Sequence, residues 1–172
     1  MTTGVILGNC ISLAAAFFTA RASWVKDSYG IYMNQVFQCL LLALASVFFD
    51  SYAGIVTLIA CAARNWLAAK DKLTKPLMLL LAVWMAVLGA ALNNRGAVGW
   101  IVVVANVLYT LGMYFAKKER AIKANIILNL VLWIVYECCI TDIPSAVADA
   151  VALVIAIASL MRKNGGEDTA IS

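Results

Sequence analysis

Ser51-Tyr-Ala-Gly-Ile-Val-Thr-Leu-Ile-Ala-Cys-Ala-Ala-Arg-Asn-Trp-Leu-Ala-Ala69 is followed at once by Lys70-Asp-Lys-Leu-Thr-Lys75 and then by a second apolar run over 76–93. A helix crosses a bilayer core with roughly 20 apolar residues, and both runs are close to that length. The basic hexapeptide between them reads as a loop at a membrane surface. Worked outward, the same alternation covers nearly the whole chain. The apolar spans fall at 3–20, 28–49, 51–69, 76–93, 97–116, 121–140 and 143–161. Backbone groups in lipid must be satisfied internally, which helices do. None of the runs shows the polar–apolar alternation of a barrel strand.

The basic residues choose one side. Alternate gaps hold Arg21, Lys26, Lys70, Lys72, Lys75, Lys117, Lys118, Arg120, Lys123, Arg162 and Lys163. The other gaps hold Arg95, beside Asp50 and Asp142. Lys and Arg collect in cytoplasmic loops of inner-membrane proteins. The pattern predicts an all-α membrane protein with the N-terminus outside and the C-terminus in the cytoplasm. The setting is the bacterial inner membrane and the first partner is the lipid bilayer.

Composition agrees. The 172 residues are 65% hydrophobic and 13% charged, with a mean hydropathy of +0.93. The net charge of +4 is split among short loops that the membrane rule explains, so no nucleic-acid partner is expected. The chain has no His, and Cys10, Cys39, Cys61, Cys138 and Cys139 include no CxxC pair. A metal site or a cofactor is therefore not expected, and the cysteines read as small apolar residues. No nucleophile motif or phosphate loop points to an enzyme. The first segment lacks a basic n-region, which predicts a retained span and not a cleaved signal. Residues 162–172 read as a polar, disordered cytoplasmic tail.

Seven spans can divide as three, one and three: repeat one over 3–69, a linker helix over 76–93 and repeat two over 97–161. The lone helix restores direction, so the two triplets run parallel, a known transporter design. Asn34 and Gln38 in the second span recur as Asn125 and Asn129 in the sixth, 91 positions on. Each pair is spaced i, i+4 and shares a helix face.

The run Asp50 to Asn65 resembles the signature region of the YgjV-type bacterial inner-membrane proteins. It carries their aromatic-small-Gly opening, Tyr52-Ala-Gly54, and their Arg-Asn, Arg64-Asn65, near the end of the third helix. The resemblance extends over most of 4–161. It implies kinship with the SWEET, semiSWEET, PQ-loop and PnuC-type transporters, which are built from three-helix repeats and move sugars or vitamins. The Pro-Gln pair of PQ-loop proteins and the Trp-xx-Trp clamp of PnuC-type carriers are missing, so no substrate residue is carried over.

Arg64 is the first candidate. It lies roughly 20 Å along the third span at about 1.5 Å per residue, where a membrane Arg is costly and marks function. Snorkelling to headgroups or capping loop carbonyls are the plainer alternatives. Asp149 lies about 9 Å inside the last span by the same rise; it would serve coupling, or bond to a neighbouring helix. The difference in depth argues against a direct pair with Arg64. The amides Asn9, Asn34, Gln38, Asn65, Asn106, Asn125 and Asn129 are many for lipid-embedded helices. They would bind a substrate's hydroxyls or amides, or glue helices together. Gln38, Asn106 and Asn129 fall nearest mid-depth. Trp84, Trp133, Tyr109 and Tyr136 would wall a cavity or pack a core, and Glu137 reads as a solvated vestibule residue.

The expected function is transport or facilitated passage of a small polar molecule, sugar- or vitamin-like, between two three-helix bundles. Gln38, Asn106, Asn129, Trp133, Asn34 and Asn125 would contact it; Arg64, Asn65 and Asp149 would gate or couple. The alternative is a non-transporting scaffold, assembly or sensor protein. A monomer could hold the whole pathway, and an oligomer is compatible with the sequence.

Overall fold

A computed structural model describes residues 2–24, 27–115 and 119–162. They form seven helices: α1 (Thr3–Trp24), α2 (Ser28–Phe48), α3 (Tyr52–Ala69), α4 (Lys75–Ala91), α5 (Ala97–Phe115), α6 (Glu119–Ile140) and α7 (Ile143–Arg162). No strand occurs among the described residues. The helices match the expected spans to within a few residues at each end. α7 continues through Arg162, a residue whose charge alone would place it in the tail. The tail beyond it lies outside the described residues, as do Lys26, Lys117, Lys118 and Lys163.

Short polar residues set the helix starts. Asp27 accepts from the Gly30 N–H at 2.6 Å to cap α2, Ser51 Oγ accepts from Gly54 to cap α3, and Asp142 Oδ1 accepts from Ser145 in the first turn of α7. Such caps satisfy backbone donors that the helix itself leaves free. Pro76 takes the first turn of α4, where no N–H is needed.

Three helices end alike. After α2, Ser51 N–H donates to Ser46 and Asp50 N–H to Val47; after α6, Asp142 donates to Glu137 and Thr141 to Cys138. α3 closes the same way through Lys72 and Asp71. This paired closure needs one left-handed residue, supplied by Asp50, Asp71 and Thr141 at φ 53°, 54° and 64°. Thr is β-branched and badly suited to that region, where an L-residue pays about 1–2 kcal/mol. Thr141→Gly should therefore raise stability by about 1 kcal/mol, read as a higher denaturation midpoint in detergent. An unchanged or lower midpoint would mean the turn is not strained.

Arg95, the exception to the charge pattern, has a local explanation. Its guanidinium donates to the carbonyls of Phe49 and Asp50 at the C-terminal end of α2. A cation at that end meets the negative pole of the helix.

The helices form a ring. α1 packs on α2, α2 on α3, α5 on α6 and α6 on α7, and the ring closes through α3 against α5 and α1 against α7. α4 stands outside it, touching α3 and α5. Gly89 seats α4: a Cβ there would lie 2.7 Å from Val103 and 3.2 Å from Thr57. Gly8, the second glycine of the Gly4-xxx-Gly8 pair, lies flat under the Phe49 ring, which a Cβ would meet at 2.8 Å. That spacing thus packs α1 against the end of α2, as small-residue spacing does in membrane helices.

Large apolar side chains stand outward on every helix, among them Phe17, Leu44, Ile59, Leu80, Val104, Val135 and Ile155. Lipid, not water, suits such a surface. Trp84 belongs to this outer surface and neither packs the core nor walls a cavity. The apolar stretches Thr3–Ala22, Tyr29–Phe48 and Tyr52–Ala69 are long enough to cross a bilayer. Those of the other four helices are shorter, for example Lys75–Ala91 and Ala124–Ile140. In α6 the cause is visible in the sequence, because the first turns carry Glu119, Arg120 and Lys123.

Candidate functional site

The ring surrounds a partly open cavity of about 220 Å³. Its wall draws on α1, α2, α3, α5, α6 and α7, and α4 contributes nothing. α2 and α6 face each other across it without close backbone approach. Gln38, Asn106, Asn129, Trp133, Arg64, Asn65 and Asp149, all expected at a site, line this one space. Asn34 and Asn125 do not. Asn34 Nδ2 turns back to Gly30 O of its own helix at 2.7 Å. Asn125 Nδ2 donates to Tyr109 O at 3.1 Å and fits where Gly112 leaves room for it, tying α6 to α5.

Hydrogen bonds sort the other amides. Asn9 joins α1 to the α6–α7 turn, donating to Thr141 O and accepting from Ile143 N. Asn106 Nδ2 donates to Val102 O, and its Oδ1 accepts from the Cys61 thiol. Gln38 is half-buried at the cavity wall. Asn129 differs from them all: its Oδ1 is buried with no partner among the described residues. A buried acceptor left unpaired costs about 1–3 kcal/mol. At the cavity wall such an atom is open to a donor from a water or a solute.

Arg64 turns inward. It is 4% exposed, so the snorkelling alternative does not hold. Its Nη1 donates to Thr110 Oγ1 on α5 at 2.8 Å, and its Nε and Nη2 both donate to Asn65 Oδ1. The guanidinium also stacks 4.9 Å above the Tyr109 ring. Asn65 in turn donates to the Cys39 sulfur. Arg64 is thus held in the wall by side chains of α3 and α5, and loop carbonyls are not its partners. Cys39 and Cys61 are free and buried beside it.

Trp133 is a buried wall residue, edge-on to Tyr136 at 5.6 Å and 85°. The Tyr136 hydroxyl shares a hydrogen bond with Ser51 Oγ, which stitches α6 to the start of α3. Tyr136 is therefore structural.

Glu137 requires a correction. Its place near a span end predicts a solvated residue, yet it is 2% exposed and lines the cavity. Its Oε2 has no partner among the described residues, and it lies within electrostatic reach of Asp149 and Asp142. Glu137 lies in the last turn of α6, near the end that composition marks as wet, but on the helix face turned inward. Its spacing from Asn129 and Trp133, at i+8 and i+4, is the signal that places all three on one face. Asp142 is fixed in the turn behind it, accepting from Ser12 Oγ at 2.7 Å. Burial pushes the Asp142 carboxyl above the ordinary range, and hydrogen bonds from Ser12 and Ser145 oppose that rise. Asp149 and Arg64 share the cavity wall.

A partly open cavity with polar groups in its wall, inside a lipid-facing ring of helices, marks a multi-pass membrane protein. A family model described as a bacterial inner membrane protein, Imp-YgjV, matches residues 6–166. The chain belongs to that family, and its place is the bacterial inner membrane. No curated protein and no solved structure matches it.

Proposed function

We propose that the protein is a facilitator or secondary carrier for a small polar molecule, sugar- or vitamin-like in size. The unpaired Asn129 oxygen at the wall of the cavity within the ring carries this reading. Gln38 and Asn106 line the same cavity, each near the middle of its helix, and Trp133 walls the space. Arg64, with Asn65, would gate the inner end. No chemistry on the solute is assigned.

The proposed architecture is seven spans in a three-one-three arrangement, with the N-terminus outside and kinship to SWEET, PQ-loop and PnuC-type transporters. Two observations support it. α4 alone stands outside the ring. The turn Asp50-Ser51 and the turn Thr141-Asp142, 91 positions apart, have the same closure and the same capping role. That offset is also the one separating Asn34 and Gln38 from Asn125 and Asn129.

A non-transporting scaffold is the second reading. The hydrogen bonds that tie Asn9 and Asn125 to neighbouring elements favour it locally, and the unpaired Asn129 oxygen opposes it. Proteoliposomes test the choice. Uptake of tracers from a panel of sugars, nucleosides, vitamins and amino acids should exceed that of protein-free vesicles for at least one class. Equal rates throughout would remove the carrier reading.

A further inference from the structure

The two ends of the cavity differ in what they lack, and the difference names a ligand class. At one end stands a cation, Arg64, whose donors already meet Thr110 and Asn65. Toward the other end stand carboxyls. Glu137 Oε2 is buried without a donor among the described residues, and the Ser145 hydroxyl of the same region is also unpaired among them. The unpaired Asn129 oxygen lies about 12 Å farther along α6 by helix rise. Asp149 adds a second carboxyl to the same wall.

Two carboxyls in one cavity wall call for a positively charged donor, since uncompensated charge out of water is expensive. Water would supply donors but no charge. A proton would neutralise one carboxyl and leave the other charged. A hard metal ion takes about six or more oxygens, more than this wall offers. An ammonium group brings one charge and three donors, enough to bridge the two carboxyls. The remaining volume, lined by Trp133 and Gln38, would take the rest of a small solute.

We propose that Glu137 and Asp149 bind the ammonium group of a small amine-bearing solute, with Asn129, two turns back along α6, lining the path of the rest of the molecule. This deepens the carrier reading by narrowing its cargo, and only the passage of the bound amine across the membrane depends on that reading. No other charged group needs to approach: Asp142 is turned to Ser12 and Ser145, and α1 and α2 present Thr19 and Gln38 at this end.

Binding tests it apart from transport. The full chain in lipid nanodiscs is titrated calorimetrically with ethanolamine and 3-aminopropanol, and with ethylene glycol and 1,3-propanediol as uncharged counterparts. Each amine should bind at least about tenfold tighter than its diol, the difference made by one charged hydrogen bond. Glu137→Gln and Asp149→Asn should each remove most of that preference. If the first variant fails to fold, the second decides. Equal affinity for amine and diol, absence of amine binding, or a preference that survives in the folded variants would overturn the proposal. So would sodium ions that displace the amine at equal concentration. Amine binding without uptake in proteoliposomes would keep this site and reject the carrier reading; diol uptake without amine preference would do the reverse.

Discussion

Asn129→Ala should abolish solute uptake in proteoliposomes and leave the protein folded. The two halves of this result come from the same atom. Asn129 Oδ1 makes no hydrogen bond among the described residues, so removing it deprives no described partner and lifts the cost of an unpaired acceptor. The side chain itself is only partly buried at the cavity wall, so the lost packing is small. The melting temperature should stay within about 2–4 °C of the parent, corresponding to about 1 kcal/mol for a chain of this size. A solute that bonds this oxygen loses a contact in the middle of its path. Uptake at the parental rate would remove Asn129 from the site. Collapse of the fold would show that the residue is helix glue, as Asn125 is.

Arg64→Ala should destabilise the protein by about 2 kcal/mol and lower its melting temperature by roughly 4–8 °C. The guanidinium's own burial is costly, and substitution returns that cost. Against it stand two losses. Asn65 Oδ1, which is buried, gives up both of its donors from Arg64. The stack on Tyr109 also disappears, worth about 0.5–2 kcal/mol. The unpaired acceptor outweighs the relief, because it cannot reach water as an exposed group would. Arg64→Lys should recover only part of the loss, since an ammonium cannot span Asn65 and Thr110 with the guanidinium's planar fork. An unchanged melting temperature in Arg64→Ala would mean that water reaches this end of the cavity and takes the guanidinium's place.

The helices are legible in the sequence because lipid imposes one rule on every span, and the basic loops mark where each span ends. The ring is less so. Parity and a 91-residue offset point to two triplets, but which helix stands outside depends on contacts such as Gly89 against Val103. Among site residues, mid-helix amides and Arg64 can be found because polar groups are out of place there. Whether an amide is satisfied depends on a carbonyl one helix away, as with Asn125 and Tyr109, and no periodicity reveals it. Glu137 escapes a reading by depth for a related reason. Closeness to a span end indicates depth, whereas burial depends on which way the helix face is turned.

The guanidinium and the carboxyls stand at different depths, and with the proposed orientation, N-terminus outside, the proposed amine path would be sensitive to voltage. By helix rise, Glu137 lies about 5 Å from the C-terminal end of α6 and Arg64 about 18 Å from the N-terminal end of α3. That difference is nearly half of a hydrocarbon core of about 30 Å. A unit charge crossing a whole membrane at 100 mV changes energy by about 2.3 kcal/mol. An ammonium moving from the carboxyls to the depth of Arg64 would gain close to half of that from an inside-negative potential. The gain would offset part of its repulsion by the guanidinium. Uptake of an amine would then carry current, and the membrane potential would set its direction.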